Sequence, residues 1–332
     1  MSPVRVALLG CGSYQAAHAR RLHANSEAQV VALCDVDELQ AQTLIENALA
    51  DADRPAYYDD PAKMYEKSEP DAVFIATPHT LHYQHCVQGI KAGCHIYVEK
   101  PMATNSADAH RLAEKVQQAG RILVVGYNTP CTPEFEYLRQ RIRDKTFGRL
   151  EMVIGHLSQN WVDFSKGTWR QDPELSGGGQ AYDSGAHILN SLVWSVEAKV
   201  VQVFAFVDNK DIPVDVNSSI NIRFDNGVLA SIIVSGDCAV SGSHMAFIFE
   251  QGKIEIDPWS GKWINVHDKD GPVKYPPITG HLQFPDDNFI DSILGRAEPR
   301  TTAAHGILQS ELMDAIYESA RIGGVAGPQP TK

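Results

Sequence analysis

The chain has 332 residues, 43% hydrophobic and 21% charged, ordinary values for a globular protein long enough for about two domains. Its 29 Lys and Arg against 41 Asp and Glu leave a net charge of -12, which repels a phosphate backbone and argues against nucleic acid as a partner. The cysteines, Cys11, Cys34, Cys86, Cys94, Cys131 and Cys238, include no C-x-x-C pair, which speaks against a disulfide framework or zinc knuckle and for a reducing compartment.

The opening Met1-Ser2-Pro3-Val4-Arg5 runs straight into a strand-like segment, and nowhere do about 18 apolar residues follow one another. Neither a leader peptide nor a membrane span is expected, and the protein is read as cytoplasmic. From Val4 to about Tyr127, short β-branched runs alternate with helical periodicity. The runs are Val4 to Leu9, Gln29 to Cys34, Ala72 to Ala76, His95 to Val98 and Ile122 to Val125. Between them Ala41, Leu44, Ile45, Ala48 and Leu49 recur at i, i+3, i+4, i+7 and i+8, and Ala109, Leu112, Ala113 and Val116 repeat that stripe before a stop at Gly120. The alternation predicts a parallel α/β sheet covered by helices on both faces.

After a helix around Pro133 to Asp144 the pattern changes, and strand-like segments follow one another: Leu150 to Gln159, Val200 to Val207, Ser218 to Phe224 and Val228 to Ser235. Asn226-Gly227 is a hairpin signal, because both turn positions favour positive φ. Gln251-Gly252 is a weaker one between Met245 to Glu250 and Lys253 to Asp257. An α+β second domain with a large, mostly antiparallel sheet is expected. Two closing helices, about Asp286 to Leu294 and Ala303 to Ile322, are expected to cover one face of that sheet and leave the other to a second subunit, in a homodimer or homotetramer.

Gly10-Cys11-Gly12-Ser13-Tyr14-Gln15 follows the first strand and opens a helix, supplying two of the three glycines of the dinucleotide fingerprint. Those two serve the tight turn and the backbone's approach to a pyrophosphate at the helix N-terminus; the third, here Gln15, serves helix packing. Asp35 ends the second strand 25 residues after Gly10, where a carboxylate takes the adenosine ribose hydroxyls. Beside the 2′-phosphate of NADP it would repel by about 4 kcal/mol at ~4 Å and an effective dielectric near 20, so NAD is the expected cofactor and NADP is disfavoured. Asp37, before the next helix, suits a capping role better than Asp35 does.

Thr77, Pro78 and His79 follow one strand and Glu99-Lys100-Pro101 the next, both at the carboxyl edge where open α/β sheets bind ligands. In the second half Asp183, His187 and Asn190 fall at i, i+4 and i+7, one polar stripe on a helix that also carries Ile188, Leu189, Leu192 and Val193. Gly177-Gly178-Gly179 just upstream would let the chain approach a ligand, which favours a cleft-facing acid–base pair. His156, Gln159 and Trp161 alternate down a strand, where a substrate-facing role competes with packing. His79, His82 and His85 with Cys86 lack the partners of a tetrahedral shell, so no metal is expected.

Several motifs, taken in order, resemble the Gfo/Idh/MocA oxidoreductases over nearly the whole chain. They are Gly10-x-Gly12 with His18, Cys34-Asp35, Ala76-Thr77-Pro78-His79-x-x-His82, Ala92-Gly93 before Glu99-Lys100-Pro101, Trp169-Arg170-x-Asp172-Pro173, and Gly177-Gly178-Gly179 leading to Asp183-x-x-x-His187. The resemblance implies a doubly wound Rossmann domain over residues 1–127 and a substrate-binding and oligomerisation sheet domain over 128–332. It implies an NAD(P)-dependent dehydrogenase or reductase that transfers a hydride between nicotinamide and a hydroxyl carbon of a sugar, polyol or glycoside. His187 would take the hydroxyl proton, Asp183 would orient it, and Lys100 would stabilise the charge developing on the oxygen. Besides Gly10, Gly12 and Asp35, the residues implied at the cofactor are Ser13, Tyr14, Gln15, Thr77, Pro78, His79, His82, Glu99, Lys100, Asn128, Trp169 and Arg170. Gln159, Trp161 and Asn190 join Lys100, Asp183 and His187 as candidates at the substrate. Two positions depart from the family pattern: Pro130 stands where relatives often carry Arg, and Asn190 where many carry Asp.

Two other readings use the same residues. One is a hydrolase or lyase that oxidises a sugar carbon, breaks a glycosidic bond by elimination and restores the hydride. The other is a dinucleotide or sugar sensor on the same scaffold. Accumulation of NADH separates a dehydrogenase from the first, and the intact Lys100, Asp183 and His187 argue against the second.

Overall fold

The alternation of short apolar runs and amphipathic stripes folds as βα units, β1 (Val4–Leu9), α1 (Ser13–Ala24), β2 (Ala28–Cys34), α2 (Glu38–Ala48), β3 (Ala56–Tyr58), α3 (Pro61–Ser68), β4 (Ala72–Ile75), α4 (His82–Lys91), β5 (His95–Val98), α5 (Ser106–Ala119) and β6 (Leu123–Val125). The computed structural model describes residues 2–50 and 54–328. All six strands pair in parallel in the order β3-β2-β1-β4-β5-β6, so the chain runs outward from β1 in one direction and then in the other. This is the doubly wound arrangement, and its switch point lies between β1 and β4. Strand β3 has only three residues, too few to show a period in the sequence.

The elements that follow are α6 (Pro133–Arg143), β7 (Leu150–Ser158), α7 (Trp161–Ser165), α8 (Pro173–Ser176), α9 (Gly185–Val196), β8 (Val200–Asp208), β9 (Asn217–Phe224), β10 (Leu229–Ser235), β11 (Gly242–Phe249), β12 (Gly252–Ile256), β13 (Ile264–Asp268), β14 (Gly271–Pro272), α10 (Pro285–Ile293) and α11 (Ala303–Ile322). Strands β7 to β14 form one eight-stranded sheet in the order β14-β13-β12-β11-β7-β10-β9-β8. It is antiparallel apart from the β7–β10 pair, and the Asn226-Gly227 and Gln251-Gly252 signals join β9 to β10 and β11 to β12. Its core combines Val153, Ile220, Ile232 and Phe247 from the strands with Leu189 and Trp194 from α9 and Leu312 and Ile316 from α11.

The chain divides into two compact units, one made of 1–103, 108–126 and 283–306, the other of 104–107, 127–282 and 307–332. A single boundary after residue 127 leaves out two excursions, 104–107 into the second unit and 283–306 into the first. Helix α10 was expected on the second sheet but belongs to the first unit, where Phe289 and Ile290 complete a core with Leu8, Leu22, Phe74 and Val124. Its apolar stripe records that one face is covered, not by what. Helix α11 takes the expected place on the second unit's core.

Candidate active site

In the first unit the sequence builds a glycine turn. Gly10 has φ +85°, and a Cβ there would stand 2.8 Å from the Ala76 carbonyl oxygen, so the position accepts only glycine. Gly12 caps α1, and a Cβ on it would meet nothing within 4 Å. Gly12, Ser13 and Tyr14 are exposed at the first turn of α1, the place where a helix N-terminus receives phosphate. Asp35 is half-buried beside the turn; its carboxylate accepts from the Cys11 N–H at 2.6 Å and the Asp37 N–H at 3.0 Å. Asp37 caps α2 through the Leu39 N–H, as expected. Open space over Gly12 with a carboxylate at the end of β2 fits a dinucleotide.

Gln15, expected among the cofactor contacts, turns inward. It is fully buried, and its amide donates to the Phe74 carbonyl at 3.0 Å, tying α1 to β4 where the fingerprint has its third glycine. His82 is also committed to the scaffold. Its ring nitrogens face the carbonyls of Pro101 at 2.7 Å and Thr77 at 2.8 Å, and burial holds its pKa below the ordinary value despite these acceptors. It thereby joins the loop after β4 to the Lys100-Pro101 segment after β5. Thr77 Oγ1 meets His85 Nδ1 at 3.0 Å, and burial pushes His85 down to about 4. His79 and Lys100 are buried near these strand ends, and Pro78 is half-buried.

In the second unit Asp183 sits in the turn before α9, and the helix begins at Gly185. Asp183, His187 and Asn190 therefore do not form one helical stripe. All twelve residues of α9 are buried, so it is an apolar helix enclosed on every side rather than an amphipathic one. The Asp183 Oδ2 accepts from Trp161 Nε1 at 2.9 Å and from Arg170 Nε at 3.0 Å, and the Arg170 guanidinium lies over the Trp169 ring at 4.6 Å. Arg170 is thus tied to the candidate catalytic carboxylate. The His187 ring meets the Trp259 ring at 4.3 Å and stands edge-on to Tyr127 at 6.1 Å. Asn190 is fully buried, and neither atom of its amide has a hydrogen-bond partner among the described residues.

The expected alternation of His156, Gln159 and Trp161 does not occur on one strand. β7 stops at Ser158, Gln159 lies in the following loop, and buried Trp161 starts α7, while His156 is exposed and its ring pairs with that of His244. Of the glycines before Asp183, Gly177 caps α8 at φ +73°, and Gly178 and Gly179 serve packing. A Cβ on Gly179 would stand 2.0 Å from the Asp215 carbonyl oxygen, and one on Gly178 would meet Tyr317. Buried Asp215 accepts from the N–H groups of Gly179 and Ala181 and from the Tyr317 hydroxyl. Half-buried Asn128 leads into the short turn Thr129–Cys131, where Pro130 is buried and Thr129 Oγ1 meets Ser191 Oγ at 2.9 Å.

Trp259, Tyr127 and Asp215 were not singled out in the sequence. Trp259 lies in a turn-forming Asp257-Pro258-Trp259-Ser260-Gly261 run, a signal for a loop but not for the imidazole it covers. The run is clamped: Asp257 accepts from Ser243 Oγ at 2.6 Å and the Trp259 N–H at 3.0 Å, while the Pro258 carbonyl accepts from Ser191 Oγ at 3.0 Å. A cleft of about 180 Å³ opens there, with Ser158, Gln159, Ser243, Asp257 and Trp259 in its wall.

Known proteins place this geometry. Residues 4–127 match the oxidoreductase family with the NAD-binding Rossmann fold, and residues 135–255 match the GFO/IDH/MocA C-terminal domain. The chain is 27% identical to the D-glucoside 3-dehydrogenase of Escherichia coli over 97% of each chain. It is 24% identical to the NADP-dependent D-xylose 1-dehydrogenase of Haloarcula marismortui over 75% of this chain and 72% of that one. The crystal structure of the WlbA dehydrogenase from Bordetella pertussis, in complex with NADH and UDP-GlcNAcA, superposes with a TM-score of 0.84 over 99% of this chain and 100% of that one, at 24% identity. The two matched domains, in this order and over these folds, make the chain a member of the Gfo/Idh/MocA family of oxidoreductases.

Proposed function

We propose that the protein is an NAD-dependent oxidoreductase acting at a hydroxyl-bearing carbon of a sugar, polyol or glycoside. The observation that supports this most is the pair at the head of α9: a buried carboxylate held by two donors, followed by a buried imidazole backed by an indole ring. The activities of the D-glucoside and D-xylose dehydrogenases point to the same substrate class. When bound, the dinucleotide supplies the hydride acceptor or donor at nicotinamide C4. His187 takes the hydroxyl proton in the oxidative direction and returns it in the reductive one, a task suited to an imidazole near neutral pH. Lys100 donates to the same oxygen and stabilises its developing negative charge. Asp183 orients the imidazole, and Trp161 and Arg170 hold Asp183. Ser158, Gln159 and Ser243 offer hydrogen bonds to further hydroxyls, and Trp259 offers an apolar face to a sugar ring.

NAD is preferred to NADP because the Asp35 carboxylate is pinned at the glycine turn and meets a 2′-phosphate as a like charge. The exposed face of the second sheet supports a homodimer or homotetramer. Met152 and Ile154 of β7 and Leu229 and Ile233 of β10 are exposed on adjacent paired strands, an apolar strip that a second copy covers.

The test is a panel of inositols, aldoses and glycosides, each with NAD and with NADP, followed by NADH or NADPH absorbance and by product analysis. NADH formation with at least one member, abolished in Lys100→Ala and His187→Ala, is expected. Glycoside cleavage without net NADH overturns the dehydrogenase reading in favour of the hydrolase.

A further inference from the structure

We propose that Asp286, His18 and Glu99 form a buried positioning relay that sets the strand end carrying Lys100. The proposal rests on the reading of Lys100 as the group that holds the reacting hydroxyl, and it concerns residues that do not touch that hydroxyl.

The geometry is complete within the first unit. His18 Nδ1 lies 2.6 Å from Asp286 Oδ1, and His18 Nε2 lies 3.0 Å from Glu99 Oε1. His18, Asp286 and Glu99 are at most 8% exposed. Two ionised carboxylates facing the two ring nitrogens ask both nitrogens to donate, which only the imidazolium can do. Arg21 Nη1 meets the other Asp286 oxygen at 2.9 Å, so two cations balance two anions. Such a network is costly to break singly, because removing one member leaves a buried charge without its partner.

Glu99 is fixed from several sides. Its N–H donates to the Ile75 carbonyl at 2.8 Å, and the Val98 carbonyl before it accepts from Gly126 at 2.9 Å. A Cβ on Gly126 would stand 2.5 Å from Glu99 Oε1, so the glycine makes room for this carboxylate. The His18 ring packs on Tyr97 at 5.0 Å and Phe74 at 5.5 Å, both in the sheet beneath. Asp286 stands in the first turn of α10, where the helix dipole also favours an anion. Helix α10 thus brings back to the first sheet not only Phe289 and Ile290 but also the terminal carboxylate of the relay. Without the His18 charge, Glu99 Oε1 loses the cation that faces it, one residue before Lys100 along the chain.

The experiment uses the full chain in four forms: wild type, His18→Gln, Asp286→Asn and, as a control on a neighbouring carboxylate, Asp287→Asn. Lysines are reductively methylated with ¹³C-formaldehyde, the Lys100 resonance is assigned with Lys100→Arg, and its titration is followed by NMR beside NADH binding and turnover. The expected result is a displaced Lys100 titration in His18→Gln and Asp286→Asn but not in Asp287→Asn, with NADH affinity kept and kcat down about tenfold or more. Folded Asp286→Asn and His18→Gln proteins with wild-type Lys100 titration and kcat overturn the relay. In wild type, ¹⁵N shifts of His18 are expected to show both ring nitrogens protonated at neutral pH, and a neutral tautomer overturns the relay even if the variants do not fold. Full activity in Lys100→Ala would instead overturn the role given to Lys100.

Discussion

Trp161 and Asp183 are joined by one hydrogen bond, indole Nε1 to carboxylate Oδ2 at 2.9 Å, in a place fully closed to solvent around the tryptophan. Trp161→Phe keeps most of the ring and removes the donor. The expected outcome is a loss of about 1–3 kcal/mol in stability, the cost of leaving a buried acceptor short of a partner. A fall in kcat of about tenfold should accompany it, larger than any change in the KM for NAD. Denaturant titration and steady-state kinetics check this, and unchanged kcat would show that Asp183 does not need this donor.

The glycines of the two motifs should fail in different ways. Gly179→Ala puts a methyl group 2.0 Å from the Asp215 carbonyl oxygen and is expected to cost about 3 kcal/mol or more. Gly12→Ala places its methyl in open space, so the melting temperature should stay near wild type while NADH binding weakens. Thermal melts and NADH fluorescence titration separate the two, and a stable Gly179→Ala protein would contradict the packing described for that turn.

Asp35 is expected to decide between the dinucleotides. In Asp35→Ser the like charge facing a 2′-phosphate is gone, and the ratio of kcat/KM for NAD to that for NADP should fall at least about tenfold. Part of the NAD affinity should go with it, because the ribose loses its acceptor and the Cys11 N–H loses a charged partner. A wild-type enzyme that already prefers NADP would refute this assignment.

The relay also makes stability depend on pH. Burial opposes the charge on His18, but Asp286 and Glu99 outweigh it and raise the pKa from 6.5 to about 9. Arg21 on its own helix is the other charge facing the ring, and Tyr97 and Phe74 pack on it from the sheet. A folded-state pKa above the unfolded one means that the stabilisation is fully present below about pH 6.5 and is lost as the pH rises through about 9. Urea unfolding between those values should therefore show wild type converging on His18→Gln at alkaline pH. Parallel curves with a constant gap would argue against a protonated His18.

Ile154→Asp places a charge in the exposed apolar strip that Ile154 shares with Leu229 and Ile233. Wild type is expected to sediment as a dimer or tetramer and the variant as a smaller species of unchanged secondary structure. A monomeric wild type would remove the reason for the strip.

What could be read in advance follows the range of the interactions involved. The turn at Gly10 and the cap at Asp37 are local devices whose residue types and spacing carry their geometry, and they stand as expected. The β9–β10 hairpin was legible for the same reason, through Asn226-Gly227. The setting of Asp183 was not, because Trp161 reaches it from 22 positions away and through a helix that the sequence suggested was strand. The three glycines before Asp183 were visible, but the cause of two of them, the Tyr317 hydroxyl for Gly178 and the Asp215 backbone for Gly179, is tertiary. Periodicity found α10 while saying nothing of which sheet receives it.

That destination bears on synthesis. The ribosome delivers the whole six-stranded sheet long before Phe289 emerges, so Phe74 and Tyr97 wait without their lid and His18 without the second of its two anions. A gene cut after the last parallel strand should yield a sticky, poorly soluble product. Appending the α10 sequence through a short linker should restore it.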